Sequence, residues 1–121
     1  MKRNIFVSIL CFVFLFMLSG YVFADATATV SDTFTTTADA TDEIGNNKGL
    51  NPNFNMSISG TWTGTIRLER RFGSAGTWMA VTNASYTSNY EGQFADYEAG
   101  VQYRLYAVSM SSGSAIVRIS R

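Results

Sequence analysis

Histidine is absent from all 121 residues, cysteine occurs once and proline once. Without histidine, the side chain most used for proton transfer near neutral pH is missing, and so are zinc centres built on imidazole. The single cysteine, Cys11, lies in an apolar run near the start. Residues 25–121 therefore form no internal disulfide and offer no thiol nucleophile. Charge is sparse and balanced, with nine Lys and Arg against nine Asp and Glu. Phosphate-binding domains carry an excess of positive charge, so no nucleic-acid partner is expected. Long hydrophobic runs are missing too, except one at the beginning.

That run covers residues 5–18, follows Lys2 and Arg3, and is succeeded by Val22-Phe23-Ala24 and then Asp25. A positive end, an apolar middle and small residues at the third-last and last positions form an export signal, with cleavage expected after Ala24. A retained anchor is the alternative: residues 5–24 as a helix, at about 1.5 Å per residue, just cross about 30 Å of hydrocarbon. Ser8, Ser19 and Gly20 make it a weak span. Lipidation is excluded, because Tyr21 stands where a cysteine would have to follow Leu18-Ser19-Gly20. The expected locations are the periplasm, the cell surface or the extracellular space, with membrane contact only if residues 1–24 remain.

What is abundant is aromatic and β-branched: 2 Trp, 6 Tyr and 9 Phe, types that favour half-buried pleated surfaces. Residues 25–42 draw on six residue types dominated by Thr, Ala and Asp, with Val30 and Phe34 as the anchors for an extended arm or for edge strands. Gly45-Asn46-Asn47-Lys48-Gly49 and Asn51-Pro52-Asn53 then mark a loop over residues 42–53. From Phe54 the pattern alternates. Phe54, Met56 and Ile58 share one face, Ile66 and Leu68 the next, and Gly60 and Gly64 bracket an expected turn between two strands. Gly73-Ser74-Ala75-Gly76 predicts a return into residues 77–81, with weaker strands near 84–87 and 90–94. Two last strands, 101–108 and 115–120, flank an expected turn at Ser111-Ser112-Gly113-Ser114. Short strands with turn signals at this spacing predict an all-β, antiparallel β-sandwich. The expected organisation is a signal or anchor helix at 1–24, a Thr/Ala-rich arm and loop at 25–53, and the sandwich core at 54–121.

The stretch Glu98-Ala99-Gly100-Val101-Gln102-Tyr103-Arg104-Leu105-Tyr106 resembles the penultimate strand of fibronectin type III and other immunoglobulin-like sandwiches, where a glycine precedes a corner tyrosine. The resemblance implies that Tyr103 pins the crossover by a hydroxyl bond to loop backbone, that Gly100 shapes the turn, and that Trp78 lies in the core. Gly60-Thr61-Trp62-Thr63-Gly64-Thr65 with Arg70-Arg71-Phe72, Gly76-Thr77-Trp78 and the later Glu-Ala-Gly-Val segment resembles small immunoglobulin-like virion proteins of tailed phages. That likeness implies a structural or surface-displayed module and no enzymatic activity.

Chemistry that survives these absences is limited to carboxylates. Asp96 with Glu98, or Asp42 with Glu43, could form a glycosidase pair, but both lie in turn-like sequence and a chain this small lacks room for a deep cleft. Asp39, Asp42, Glu43, Asn46 and Asn47 could supply calcium oxygens, without the ordered spacing of a calcium loop; no metal or cofactor is expected. Arg67, Arg70, Arg71 and Arg104 could make one basic face, neutralised by Glu69 and Glu91. The residues left for contact are Trp62, Tyr86 and Tyr90. The expected function is a non-enzymatic exported module that assembles with copies of itself or with a larger envelope or virion structure. The alternative is a secreted module that binds carbohydrate or a protein receptor through these aromatics.

Overall fold

The computed structural model describes residues 29–46 and 53–121; the expected signal or anchor helix at 1–24 lies outside them. The described residues form six antiparallel strands: β1 (Thr29–Phe34), β2 (Ile44–Asn46), β3 (Asn53–Phe72), β4 (Met79–Tyr86), β5 (Tyr90–Ala95) and β6 (Val101–Ser120). All belong to one sheet. Its spine is the pairing of β3 with β6 from Asn55↔Ser120 to Phe72↔Val101. On the far side of β6 lie β1 at one end and β2 at the other, and on the far side of β3 lie β5 and β4. The sheet thus has a β1/β5 half and a β2/β4 half, both threaded by the same two long strands.

The halves fold over one another. In a flat sheet Tyr103, which pairs with Arg70, would stand about 55 Å from Phe54 along β3, at about 3.4 Å per residue. Instead the Phe54 and Tyr103 rings are 4.9 Å apart, and Phe94 stacks on Phe54 at 4.8 Å. The even-numbered apolar residues of β3 (Phe54, Met56, Ile58, Ile66, Leu68) and the odd-numbered ones of β6 (from Val101 to Ile119) face this common interior and are buried. Each large side chain so buried contributes about 1.5–3 kcal/mol.

The bend sits where the sequence predicts two turns. Gly60 and Gly64 do not end a strand, and neither does Gly113: each lies within a 20-residue strand. Two residues of β6, Val108 and Ser111, have no partner in β3, and these bulges curl the ribbon. A Cβ on Gly113 (φ 79°) would come within 2.0 Å of the Thr61 carbonyl oxygen, and one on Gly60 (φ 115°) within 2.5 Å of that of Ser114. Glycine here permits close approach of two backbones, a role whose sequence signature is shared with turns.

One further expectation changes, and one choice between two stated forms is made. The 42–53 loop contains β2, because Ile44 is buried opposite Tyr103. Of the two forms expected for the 25–42 tract, extended arm or edge strand, residues Thr29–Phe34 take the second as β1, with Phe34 fully buried opposite Ala115. Core residues therefore come from both sides of residue 54.

Candidate functional site

Three groups of side chains carry polar chemistry or exposed aromatic surface. The first is the corner where the structure joins the expected contact residues. Trp62, on β3 at the bend, donates its indole N–H to Asn89 Oδ1 at 3.0 Å, and the Asn89 amide donates to the Gly60 carbonyl at 3.2 Å. Asn89 belongs to the short connection between β4 and β5, whose flanking residues are Tyr86 and Tyr90, with rings 4.2 Å apart. Burial first, then the neighbouring Tyr90, pushes the Tyr86 phenol up to about 12. All three aromatics are half-buried against the core. A shallow groove of about 300 Å³ runs beside them along Ser57, Ser59, Tyr90 and Glu91.

A second group covers the outer face of the β2/β4 half. Glu69, 2% exposed, accepts Arg67 Nε at 2.8 Å and Nη2 at 2.5 Å on one oxygen, and Arg104 Nε at 2.8 Å and Nη2 at 2.7 Å on the other. Such forked pairs fix both guanidinium planes. Arg104 lies 4.3 Å from the Trp78 ring centre and 5.0 Å from that of Tyr106, and Arg71 lies 4.6 Å from Trp78. Arg71 also donates to Gln102 Oε1 at 2.9 Å and pairs with Glu43. Trp78, expected in the core, is instead half-buried on this outer face: it stands in the connection before β4 and packs on guanidinium planes, a contact that rewards the ring for staying outside.

The third group is the corner tyrosine. Tyr103 is buried and donates its hydroxyl to Asp96, so the pin ends on a side-chain carboxylate seven residues upstream and not on loop backbone as expected. Arg70 also donates to Asp96 Oδ2 at 3.2 Å, and the Glu98 N–H donates to Oδ1 at 2.9 Å. Burial by itself raises the Asp96 pKa, but these donors and the Arg70 charge outweigh it and hold the carboxyl below its ordinary value. Burial and the adjacent Asp96 push the Tyr103 phenol well above its own. Gly100 turns the chain just before Tyr103 at φ 79°, and its carbonyl accepts the Gly73 N–H at 2.9 Å.

The expected basic face therefore splits. Arg67, Arg71 and Arg104 gather, Arg70 joins Asp96, and Glu91 lies on the other half. Trp78 and Tyr106 as ring partners are what sequence reasoning missed; the signal was the alternation Arg67, Glu69, Arg71 opposite Gln102, Arg104, Tyr106. The acidic calcium candidates diverge: Asp39 accepts the Thr35 and Thr36 amides, which lowers its pKa, while Glu43 turns to Arg71. Among the described residues no group of three His, Cys, Asp or Glu side chains converges.

The architecture has a counterpart. Among solved structures the chain is similar to the SPBc2 prophage-derived protein YomS, with a TM-score of 0.54 and 20% identity over 83% of this chain and 98% of that one. No family model matches the chain, and no curated protein matches it.

Proposed function

We propose that this chain is a non-enzymatic, exported structural module of an envelope or virion surface, built on an immunoglobulin-like two-layer plan. The observation that carries the reading is the fold shared with a prophage-derived protein along nearly that protein's whole length. The carboxylates support it. Glu69 and Asp96 are occupied as acceptors for arginine and tyrosine, and an Asp96 held in its charged form suits a structural pin better than a proton donor. The two-layer plan is supported by the shared interior and the Tyr103 pin; the unbroken β3 and β6 are its individual features.

Fractionation tests the assignment. Tagged full-length chain in producing cells is expected in the envelope fraction, or in released particles where these form. Recovery solely as free cytoplasmic protein would overturn it.

A second reading, recognition of carbohydrate or a receptor, is favoured by the convergence of Trp62, Tyr86 and Tyr90 at one corner. Trp62→Ala would then abolish binding on a glycan array while leaving the β-type circular dichroism unchanged; binding that survives the change eliminates this role.

A further inference from the structure

The four outer strands are not equally protected against pairing with another chain. β2 has only three residues. In β1, Asp32 folds its carboxylate back onto the Thr33 N–H at 2.7 Å, and beyond its end Asp39 takes the amides of Thr35 and Thr36. β4 is broken by a bulge: residues 81–84 pass without partners in β3, with Asn83 in the left-handed region at φ 61°. Capped amides, shortness and bulges are the devices by which edge strands avoid addition.

β5 has none of them. All six residues from Tyr90 to Ala95 pair with β3 in unbroken register. The strand contains no proline, lysine or arginine, and none of its amides is capped by a side chain among the described contacts. Its inward residues Tyr90 and Phe94 are only half-buried, so the edge leaves aromatic surface that a further strand would cover.

We infer that the free edge of β5 is a strand-addition site for a second copy of this chain, joined about a two-fold axis through Gly92. The inference rests on the reading of the chain as an assembly module and names its partner. Opposed residues of an antiparallel pair point to the same face, so a self-paired strand must be centred on a residue. Centring on Gly92 sets Glu91 opposite Gln93 of the second copy and Tyr90 opposite its Phe94, each twice. The Gln93 amide, which donates one N–H to Asn55 Oδ1 at 2.9 Å in its own chain, turns its other N–H to the carboxylate, ring meets ring, and the residue without a side chain lies on the axis. Centring on Gln93 would instead oppose two identical amides and place Glu91 against Ala95. A second copy fits β5 better than an unrelated strand because the sequence Tyr-Glu-Gly-Gln-Phe is complementary to its own reverse. The product is a continuous sheet of eight strands across the two β1/β5 halves, with the arginine face of each copy left outside the junction.

The register makes a prediction of opposite signs at one position. Sedimentation equilibrium of the chain as isolated from producing cells should show a monomer–dimer equilibrium. Gln93→Glu places carboxylates opposite Glu91 twice and should weaken the dimer about 2- to 30-fold, whereas Gln93→Lys creates two ion pairs and should tighten it by a similar factor. Gln93 is exposed and its one described side-chain bond, from Nε2 to Asn55 Oδ1 at 2.9 Å, lies at the surface, so both variants should stay close to the native melting temperature. A monomer at all concentrations up to about 1 mM would overturn the inference, as would a dimer indifferent to both changes or weakened by both. None of those results bears on envelope or particle location, which the fractionation experiment decides separately.

Discussion

The two halves of the folded sheet bury the same kind of interior and present opposite kinds of exterior. Outside the β1/β5 half stand mostly short polar residues such as Ser31, Thr33, Asn55, Ser57 and Ser59, with Ile116 exposed among them and Glu91 and Arg118 on either side of Ser57. Outside the β2/β4 half, three arginines, two carboxylates and two rings form a bonded lattice around Glu69. Because one pair of strands serves both, the contrast does not come from the backbone. It comes from what the outward positions can bond to across neighbouring strands. The lattice holds long side chains still by using their polar atoms on each other. The plain face makes few such bonds, and among the described residues its flanking strand β5 pairs on one side only. Rigidity and availability are thus divided between the halves.

The largest perturbation should be one that attacks what the halves share. Gly113→Ala puts a methyl group 2.0 Å from the Thr61 carbonyl oxygen in a left-handed conformation, so strain and overpacking together should cost about 2–5 kcal/mol. Gly73→Ala provides the control. Its φ is 61° but nothing lies within 4 Å of the added carbon, so only conformational strain of about 1 kcal/mol is expected. Urea denaturation of the two variants measures the difference. Equal losses would mean that the bend relaxes freely and that the halves are hinged, not welded.

The next effect should separate the halves from each other. Glu69→Gln removes the charge that two half-exposed guanidiniums share, and about 2 kcal/mol of stability should go with it. Glu91→Gln, on the exposed face of β5, should change stability by less than about 0.5 kcal/mol. Thermal melts of both would sharpen the contrast; similar melting temperatures would show that the lattice organises the surface without stabilising the fold.

How much of this was legible in the sequence depends on the range of the interaction. Alternation over Phe54, Met56 and Ile58, and over Val101, Tyr103 and Leu105, is a local signal, and the buried faces of β3 and β6 follow it directly. Sequence alone predicts two turns at the bend because Gly60, Gly64 and the Ser-Ser-Gly-Ser run satisfy turn chemistry equally well. Only the pairing of residue 61 with 114, more than fifty positions away, distinguishes the two. Residue type singles out Trp62, Tyr86 and Tyr90 one by one, whereas the bond from Trp62 to Asn89, which joins them at one corner, is tertiary. The outer position of Trp78 is not legible for the same reason: its ring is satisfied by Arg71 and Arg104, which reach it from two different strands.

Asp96 offers the mildest test, on a tie that crosses from one half to the other. It follows β5, yet it holds Tyr103 of β6 and Arg70 of β3 in the opposite half. Its folded-state pKa lies below the ordinary 3.8, so the native state binds fewer protons than the unfolded chain in that range. The stability it contributes is therefore present above about pH 4 and is lost as pH falls through the folded value. Tyr103 works in the other direction. Its raised phenol pKa contributes stability that is present below about pH 10 and lost as pH rises through the folded value. Asp96→Asn should lower stability at pH 7 by about 1 kcal/mol and flatten this part of the acid limb. In a spectrophotometric titration it should also bring one late-titrating tyrosine back toward ordinary behaviour. A variant that kept the wild-type acid limb would show the two halves joined by their apolar interior alone, with the Tyr103 bond adding orientation but no cohesion.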